Sequence, residues 1–177
     1  MKARSLVSLL SLKNLNKSFG GLKAVNEVSF DVDAGSVVGL IGPNGAGKTT
    51  IFNLITGNYK PDSGQVEFDG KSIGGLPTHR IVTLGIGRTF QTIRLFQNLS
   101  VLENVLAGCH CRMKSGALSS MLRTSSQKKE ESKAFEQSLQ ELEFVGLRQA
   151  RKHLSRNLSY GNQRLLEIAR ALATQPR

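Results

Sequence analysis

The sequence is poor in the residues that build disulfide frameworks and membrane spans. Its 177 residues include two cysteines, Cys109 and Cys111. These flank His110 in a triplet too cramped for a zinc site, and no second pair of ligands stands elsewhere, so we interpret both as free thiols of a reducing compartment. No apolar run approaches the roughly 18 residues that a membrane-spanning helix needs. These absences argue against a disulfide-stapled domain and against a membrane span within this chain.

Acidic residues are scarce as well. The chain has 24 Lys and Arg against 13 Asp and Glu, a formal net charge of +11. The basic residues are scattered, with no block of five or more, so no dedicated nucleic-acid arm is indicated. Weak attraction to an anionic membrane surface or to nucleic acid stays open. The basic start, Met1–Leu10, carries a short apolar stretch broken by serines, which favours a cytoplasmic location over a signal peptide.

Glycine is concentrated where it can carry chemistry. The run from Gly42 to Thr49 spells the pattern G-x-x-x-x-G-K-T in full. Its glycines let backbone N–H groups turn inward around a phosphate, in conformations that a Cβ would forbid. Lys48 adds a cation for the β- and γ-phosphates, and the Thr49 hydroxyl can ligate Mg²⁺. The predicted ATP-binding residues of this phosphate loop are Gly42, Pro43, Asn44, Gly45, Ala46, Gly47, Lys48, Thr49 and Thr50.

The segments around the loop fit the motif. Val37–Ile41 is a short apolar run typical of a buried parallel strand. Thr50–Thr56 predicts a helix closed by Gly57, which would place the phosphate at a helix N-terminus. Alternating apolar and polar residues predict strands on either side of this unit. The other predicted elements before residue 92 are strands near 11–15, 28–32 and 65–68, a helix from Pro77 through Leu84, and a strand edge over 86–91.

Beyond residue 92 the pattern becomes helical. Ser100 and Glu103 form a capping box for one helix. A second helix, over about 127–145, is predicted to present Phe135, Leu139 and Leu142 on its apolar face. The polar segment 115–126 is interpreted as a surface connection between the two helices. The last helix is predicted to begin near Gly161 and to carry core-facing residues Leu165, Ile168, Ala169 and Leu172.

A second motif precedes that last helix. It consists of Leu158, Ser159, Tyr160, Gly161, Asn162, Gln163 and Arg164, of which residues 158–163 are the predicted signature residues. A serine and a glycine ahead of a helix offer a hydroxyl, free N–H groups and a positive dipole end, which suit a phosphate. Taken alone, the ordinary interpretation is an N-cap. Together with the phosphate loop, this segment resembles the signature of the ATP-binding cassette ATPases, which is close to L-S-G-G-Q or L-S-Y-G-Q-Q-R.

The resemblance covers essentially the whole chain. It implies an α/β P-loop NTPase core with an antiparallel β edge and an inserted helical subdomain. The implied domains are a nucleotide-binding core over 1–91, a helical subdomain over 92–160 and the signature helix over 161–177. The implied cofactors are ATP and Mg²⁺. The implied partners are transmembrane permease subunits and a second ATPase subunit, homo- or heterodimeric, on the inner face of the plasma membrane.

The resemblance also assigns two residues outside the two motifs. Phe19 lies where the family places an aromatic ring that stacks on adenine, although on physical grounds it could equally be a core residue. Gln91 matches the family's glutamine that reaches Mg²⁺ and the attacking water and links the site to a membrane partner. Gln91 is thus the predicted catalytic residue and, with Thr49, a predicted metal ligand. The signature residues would face the ATP of the partner subunit.

Finer stretches narrow the resemblance. Four stretches are similar to ATPase subunits of branched-chain amino acid importers, namely residues 88–96, 99–105, the insertion over 108–129 and residues 166–176. Asn162 and Leu165 depart from the usual Gln and Arg. Family members continue past Pro176 into a strand ending in Asp and Glu and then to a switch histidine, for which His79, His110 and His153 are misplaced. We therefore expect a truncated chain whose hydrolysis is doubtful.

Three other interpretations stay open. One is a hydrolysis-deficient nucleotide-binding or regulatory module. Another is a cassette ATPase that acts on nucleic acid, against which the transporter-like size of the helical segment argues. The third is the ATPase of another transporter, for lipid or lipopolysaccharide.

Overall fold

Strand and helix positions are given by a computed structural model, which describes residues 8–112 and 125–177, except the side chains of 125–127. Two compact units divide the chain, unit 1 over 1–81 and unit 2 over 82–177. Most of the predicted connection over 115–126 lies outside the described residues, and its last two residues begin a helix. No helix in the described ranges is long and apolar enough to cross a membrane.

Unit 1 contains a four-stranded antiparallel sheet in the order β2-β1-β3-β4. Its strands are β1 (Ser8–Phe19), β2 (Leu22–Asp33), β3 (Ser63–Phe68) and β4 (Lys71–Ser72). β1 lies between two neighbours, because it pairs with β2 along its length and with β3 over residues 10–16. The predicted strands near 11–15, 28–32 and 65–68 are confirmed. The mixed α/β class with an antiparallel sheet is confirmed too.

The two helices before residue 85 begin and end within two residues of their predicted bounds. Helix α1 spans Lys48–Ile55, and Gly57 follows it with a left-handed φ of +73°. Helix α2 spans Thr78–Leu84, directly after Pro77. Both helices bury apolar residues, among them Leu54 and Ile81. The other buried apolar residues of unit 1 are Leu12, Leu15, Val25, Ile51, Ile55, Val66, Phe68 and Ile73.

The predicted buried strand over Val37–Ile41 is wrong. This segment is neither helix nor strand, and the side chains of Val37 and Ile41 are 100% and 95% exposed. A buried parallel strand needs hydrogen-bonded neighbours on its edges. The sheet among the described residues is antiparallel and composed of the four strands above, so it offers this segment no such neighbour.

Unit 2 is helical. It contains α3 (Val101–Cys109), α4 (Ser125–Phe144) and α5 (Tyr160–Leu172), with single 3₁₀ turns at His110–Arg112, Arg148–Ala150 and Ser155–Asn157. The predicted capping box of α3 is confirmed, because Ser100 and Glu103 bond each other's backbone N–H. The buried apolar cluster of this unit comprises Leu95, Val101, Val105, Cys109, Ala134, Leu142, Leu147, Leu166, Ala169 and Ala173.

The predicted core faces of α4 and α5 are partly wrong. In α4, Leu142 is buried and Leu139 is half-buried, but Phe135 is 45% exposed. In α5, Ala169 is buried, whereas Leu165 and Ile168 are exposed and Leu172 is half-buried. The buried stripes are instead Ala134, Ser138 and Leu142 in α4, and Leu166, Ala169 and Ala173 around α5.

Close helix packing explains the choice of small residues. A Cβ placed on Gly108 of α3 would lie 2.4 Å from the Arg170 carbonyl oxygen and 3.1 Å from the Ala173 Cβ. The backbones of α3 and α5 therefore touch, and only a face of small side chains allows that approach. On the other side of α3, the buried Cys109 sulfur lies 3.7 Å from the Ala134 carbonyl oxygen and 3.5 Å from the Ser138 hydroxyl.

The predicted strand edge over 86–91 is also wrong. These residues form no ladder, and two of their carbonyls bond a side chain elsewhere in unit 2. The Gly85 carbonyl accepts from the Arg177 N–H at 2.9 Å, and the carbonyls of Phe90 and Gln91 accept from the Arg164 guanidinium. Since a side chain satisfies the carbonyls of Phe90 and Gln91, these two groups need no neighbouring strand.

Candidate nucleotide site

The phosphate loop is shaped by glycine conformations. Gly45 and Gly47 have φ values of +84° and +81°, the left-handed region that a side chain disfavours. Gly47 is the N-cap of α1, and its carbonyl accepts the first helical bond from the Ile51 N–H at 2.9 Å. The N–H groups of the first helical turn have no intrahelical partner. That turn, which is fully described, holds no acidic side chain, so the positive end of α1 is available to an anion.

Gly47 also seats the loop against the sheet. A Cβ at this position would lie 2.1 Å from the Ala24 carbonyl oxygen and 3.7 Å from the Val25 side chain, both in β2. Neither the backbone of a paired strand nor the helix start can give way by that distance. Gly47 is therefore required twice, by its own conformation and by its contact with β2. The second requirement is invisible in the sequence.

Lys48 bends back over the loop. Its ammonium donates to the carbonyl oxygens of Gly42 and Pro43, at 2.6 Å each. The cation is thus held at the mouth of the loop by two neutral acceptors, for which an anionic phosphate is a stronger competitor. Thr49 is exposed and Thr50 half-buried. The donor set of backbone N–H groups, one cation and one hydroxyl fits a Mg²⁺-bound nucleotide phosphate.

Phe19 lies at the end of β1, paired with Leu22 across the β1–β2 turn. Its ring is 42% exposed, so it is not a core residue. The rings of Phe19 and Tyr59 pack edge to face, with centroids 5.1 Å apart and planes at 70°. The Lys17 ammonium lies 5.5 Å from the Phe19 centroid. Stacking on a base stays a prediction, and the exposed ring leaves room for it.

Asp62 fixes the strand end that carries Phe19, a role that sequence reasoning missed. Its carboxylate accepts from the Lys17 ammonium at 2.6 Å and from the Ser18 N–H at 2.7 Å. These two bonds, first that of Lys17, hold the pKa of Asp62 below its ordinary value. The sequence around Asp62 indicates a turn, but no local pattern shows which distant strand the turn reaches.

The signature residues surround the N-terminus of α5 in unit 2. Ser159 is the N-cap, and its hydroxyl accepts from the Asn162 N–H at 3.4 Å. The Gln163 side chain donates to the Leu158 carbonyl at 3.0 Å. Tyr160 and Gly161 are exposed. The predicted N-cap geometry is confirmed, while phosphate binding by this turn stays a prediction.

Gln91 is exposed and lies in the same unit as the signature segment. Its carbonyl oxygen accepts from Arg164 of α5, which also bonds the Tyr160 hydroxyl. The structure thus connects Gln91 to the first turn of α5. The sequence shows Arg164 only as the last residue of the second motif, and its contact with Gln91, 73 residues away, was missed. Among the described residues, no group of three or more His, Cys, Asp or Glu side chains could hold a metal ion.

Residues 25–177 match the family described as ABC transporter. The chain belongs to this family. The high-affinity branched-chain amino acid transport ATP-binding protein LivG of Escherichia coli K12 is 45% identical over 168 residues, covering 95% of this chain and 66% of that protein. The corresponding BraF of Pseudomonas aeruginosa is 43% identical over 169 residues, with 96% and 66% covered.

A solved structure agrees with the sequence comparisons. The ADP conformation of MJ1267, an ATP-binding cassette of an ABC transporter, has a TM-score of 0.79 and 39% identity, covering 96% of this chain and 66% of that one. The chain spans slightly less than two thirds of the length of these relatives. The predicted resemblance to ATP-binding cassettes, and within them to the branched-chain amino acid ATP-binding proteins, is confirmed.

Proposed function

We propose that this ABC transporter family protein is the ATP-binding subunit of an importer for branched-chain amino acids. The observation that supports it best is the phosphate loop, with Gly45 and Gly47 in left-handed conformations and Lys48 at its mouth. The names of the relatives LivG and BraF supply the transported class. ATP hydrolysis and the energising of transport are proposed for the whole protein.

Each predicted site residue receives a role under this proposal. Residues 42–50 hold the phosphates, with Thr49 as a ligand of Mg²⁺, which shields phosphate charge when bound. The exposed face of Phe19 receives the base. Gln91 responds to the bound nucleotide and its metal. The signature residues 158–163 act on the nucleotide of a second ATPase subunit.

Partners and location follow from the same proposal. Transmembrane permease subunits carry the amino acid, and this subunit attaches to them at the inner face of the plasma membrane. The motifs suggest a functional division into 1–91, 92–160 and 161–177. Its boundaries differ from the boundary between the two compact units.

The test is the Lys48→Ala variant. Removing the ammonium that faces the phosphates is expected to abolish detectable binding of MgATP by titration calorimetry. Lys71→Ala, at an exposed position of β4, is the matched control and should bind as the unchanged protein does. Equal affinity of the Lys48→Ala variant and the unchanged protein would contradict the phosphate-loop assignment. Turnover measured on the same samples separates an ATPase from a nucleotide-binding module.

A further inference from the structure

Arg164 uses every donor it has on the segment around Gln91 and on its own helix. Nη1 donates to the Phe90 carbonyl at 2.7 Å and to the Glu167 carboxylate at 3.2 Å. Nη2 donates to the Gln91 carbonyl and to the Tyr160 hydroxyl, and Nε donates to the same hydroxyl at 3.3 Å. A guanidinium has five N–H groups in a fixed plane. The five contacts therefore leave the plane one orientation.

Glu167 anchors the Arg164 guanidinium within α5. Its side chain is 3% exposed. The Oε2 atom pairs with Arg164, and the Oε1 atom has no hydrogen-bond partner. A buried carboxylate without its cation is strongly disfavoured. Arg164 is therefore anchored in α5 whether or not the segment around Gln91 moves.

Two further arginines lie in the segment around Gln91 that Arg164 contacts. The guanidinium carbons of Arg88 and Arg94 lie 5.0 Å and 4.5 Å from the centroid of the Phe90 ring. Two cations therefore position the Phe90 ring, and a third, Arg164, positions the backbone carbonyl of Phe90. A displacement of Gln91 must change the contacts of the guanidinium, since two neighbouring carbonyls share it.

We propose that Arg164 is a positioning residue that transmits the position of the Gln91 backbone to the first turn of the signature helix at Tyr160. The inference rests on the proposed function in one respect, that Gln91 responds to bound nucleotide. Lysine cannot take this part, because its three donors on one atom do not form a planar fork.

The experiment uses the two tyrosines as separate probes. Tyr59 and Tyr160 are the only tyrosines of the sequence, so 3-fluorotyrosine labelling gives two fluorine resonances, which a Tyr160→Phe sample assigns. Tyr59 lies beside Phe19 and reports the proposed base site. Tyr160 reports the Arg164 link. Arg164→Lys is compared with Arg156→Lys, a matched control whose exposed guanidinium bonds the Asn98 side chain.

In the unchanged protein, MgATP is expected to shift both resonances. In the Arg164→Lys variant the Tyr59 shift should persist, with nearly unchanged affinity, while the Tyr160 shift is lost, because the planar fork that joins the Gln91 carbonyl to the Tyr160 hydroxyl is gone. The Arg156→Lys variant should keep both shifts. The proposal is overturned if the Tyr160 shift survives Arg164→Lys, or if MgATP moves the Tyr59 resonance alone in the unchanged protein.

Hydrogen exchange keeps the two hypotheses separate. If the chain does not bind MgATP, the proposed function fails, and the link is judged without nucleotide on the backbone amides of 88–94. Faster exchange there in Arg164→Lys than in Arg156→Lys supports the link, and equal exchange overturns it. If Arg164→Lys does not fold, Tyr160→Phe, which removes the acceptor of two donors, is measured in the same way with the same two outcomes.

Discussion

In unit 1 the phosphate loop takes its shape from the backbone conformations of its own glycines, whereas in unit 2 the segment around Gln91 takes its shape from distant side chains. Gly45 and Gly47 act within a few residues of the loop they form. Arg164 reaches Phe90 and Gln91 across 74 and 73 residues of sequence. The glycine conformations of the first arrangement are local, although Gly47 also packs against β2, and the second arrangement depends on the folding of the whole unit.

The difference shows where each unit should be sensitive to substitution. Unit 1 is sensitive where a side chain would be added to a glycine. Unit 2 is sensitive where a buried polar side chain would be removed, as at Asn104, Ser155 or Glu167. Each loss there leaves backbone groups or charges without partners, which costs more than the bond itself contributes.

The largest effect is expected from Gly47→Ala. The variant combines a left-handed φ with a methyl group 2.1 Å from a backbone oxygen. Left-handed strain costs of order 1–3 kcal/mol, and overpacking adds roughly as much. We expect the free energy of unfolding in urea to fall by about 3 kcal/mol or more, with loss of ATP binding.

Gly45→Ala is the matched control for that experiment. Its φ is +84°, but a Cβ there meets nothing within 4 Å. The expected cost is therefore strain alone, about 1–2 kcal/mol. Equal losses for the two variants would show that the contact with β2 contributes nothing and that conformation alone governs unit 1.

Asn104→Ala tests the side-chain network of unit 2. Asn104 is fully buried, accepts from the Phe96 N–H at 2.9 Å and donates to the carbonyls of Phe96 and Ser100 at 3.1 and 3.0 Å. Leaving these groups unpaired should lower the free energy of unfolding by about 2–4 kcal/mol. The exposed Asn98→Ala should change it by no more than about 0.5 kcal/mol. If both substitutions changed the free energy of unfolding by the same small amount, unit 2 would not depend on its buried polar groups.

Phe19→Ala sharpens the comparison at the level of binding. If the ring stacks on the base, its loss should weaken MgATP binding by roughly 1–3 kcal/mol without a comparable loss of stability. Leu22→Ala, at the paired and more exposed end of the β1–β2 turn, should leave affinity unchanged. Unchanged affinity in both variants would show that Phe19 has only a structural role.

The smallest effects are expected in the pH dependence of the protein's stability. Lys17 and the Ser18 N–H lower the pKa of Asp62 in unit 1, and the Ser100 hydroxyl and N–H lower the pKa of Glu103 in unit 2. A carboxyl whose folded pKa is depressed stabilises the fold above its unfolded pKa and loses that contribution as the pH falls through the folded pKa. The stability of Asp62→Asn and Glu103→Gln should therefore lie below that of the unchanged protein at pH 7 and converge with it in acid. Thermal melting over a pH series checks this, and a constant difference would contradict it.

Much of the fold and of the loop could be predicted because the signals are local. The glycine spacing, the capping box at Ser100 and the alternation in β2 each act within a few residues. The errors lie where burial decides. Val37–Ile41 is apolar but exposed, and Phe135 and Ile168 lie beside the buried stripes of their helices rather than on them.

By itself, the sequence determined the family, the phosphate loop and most of the strands and helices, because those patterns reflect backbone conformation and short-range periodicity. The tertiary structure alone decided which faces of α4 and α5 are buried, since α5 approaches Gly108 closely and α4 packs Ala134 and Ser138 against Cys109. It alone also decided the contact of Gly47 with β2, the hold of Asp62 on β1 and the link from Arg164 to Gln91. Each of these joins groups far apart in sequence, and such contacts exist only once the chain has packed.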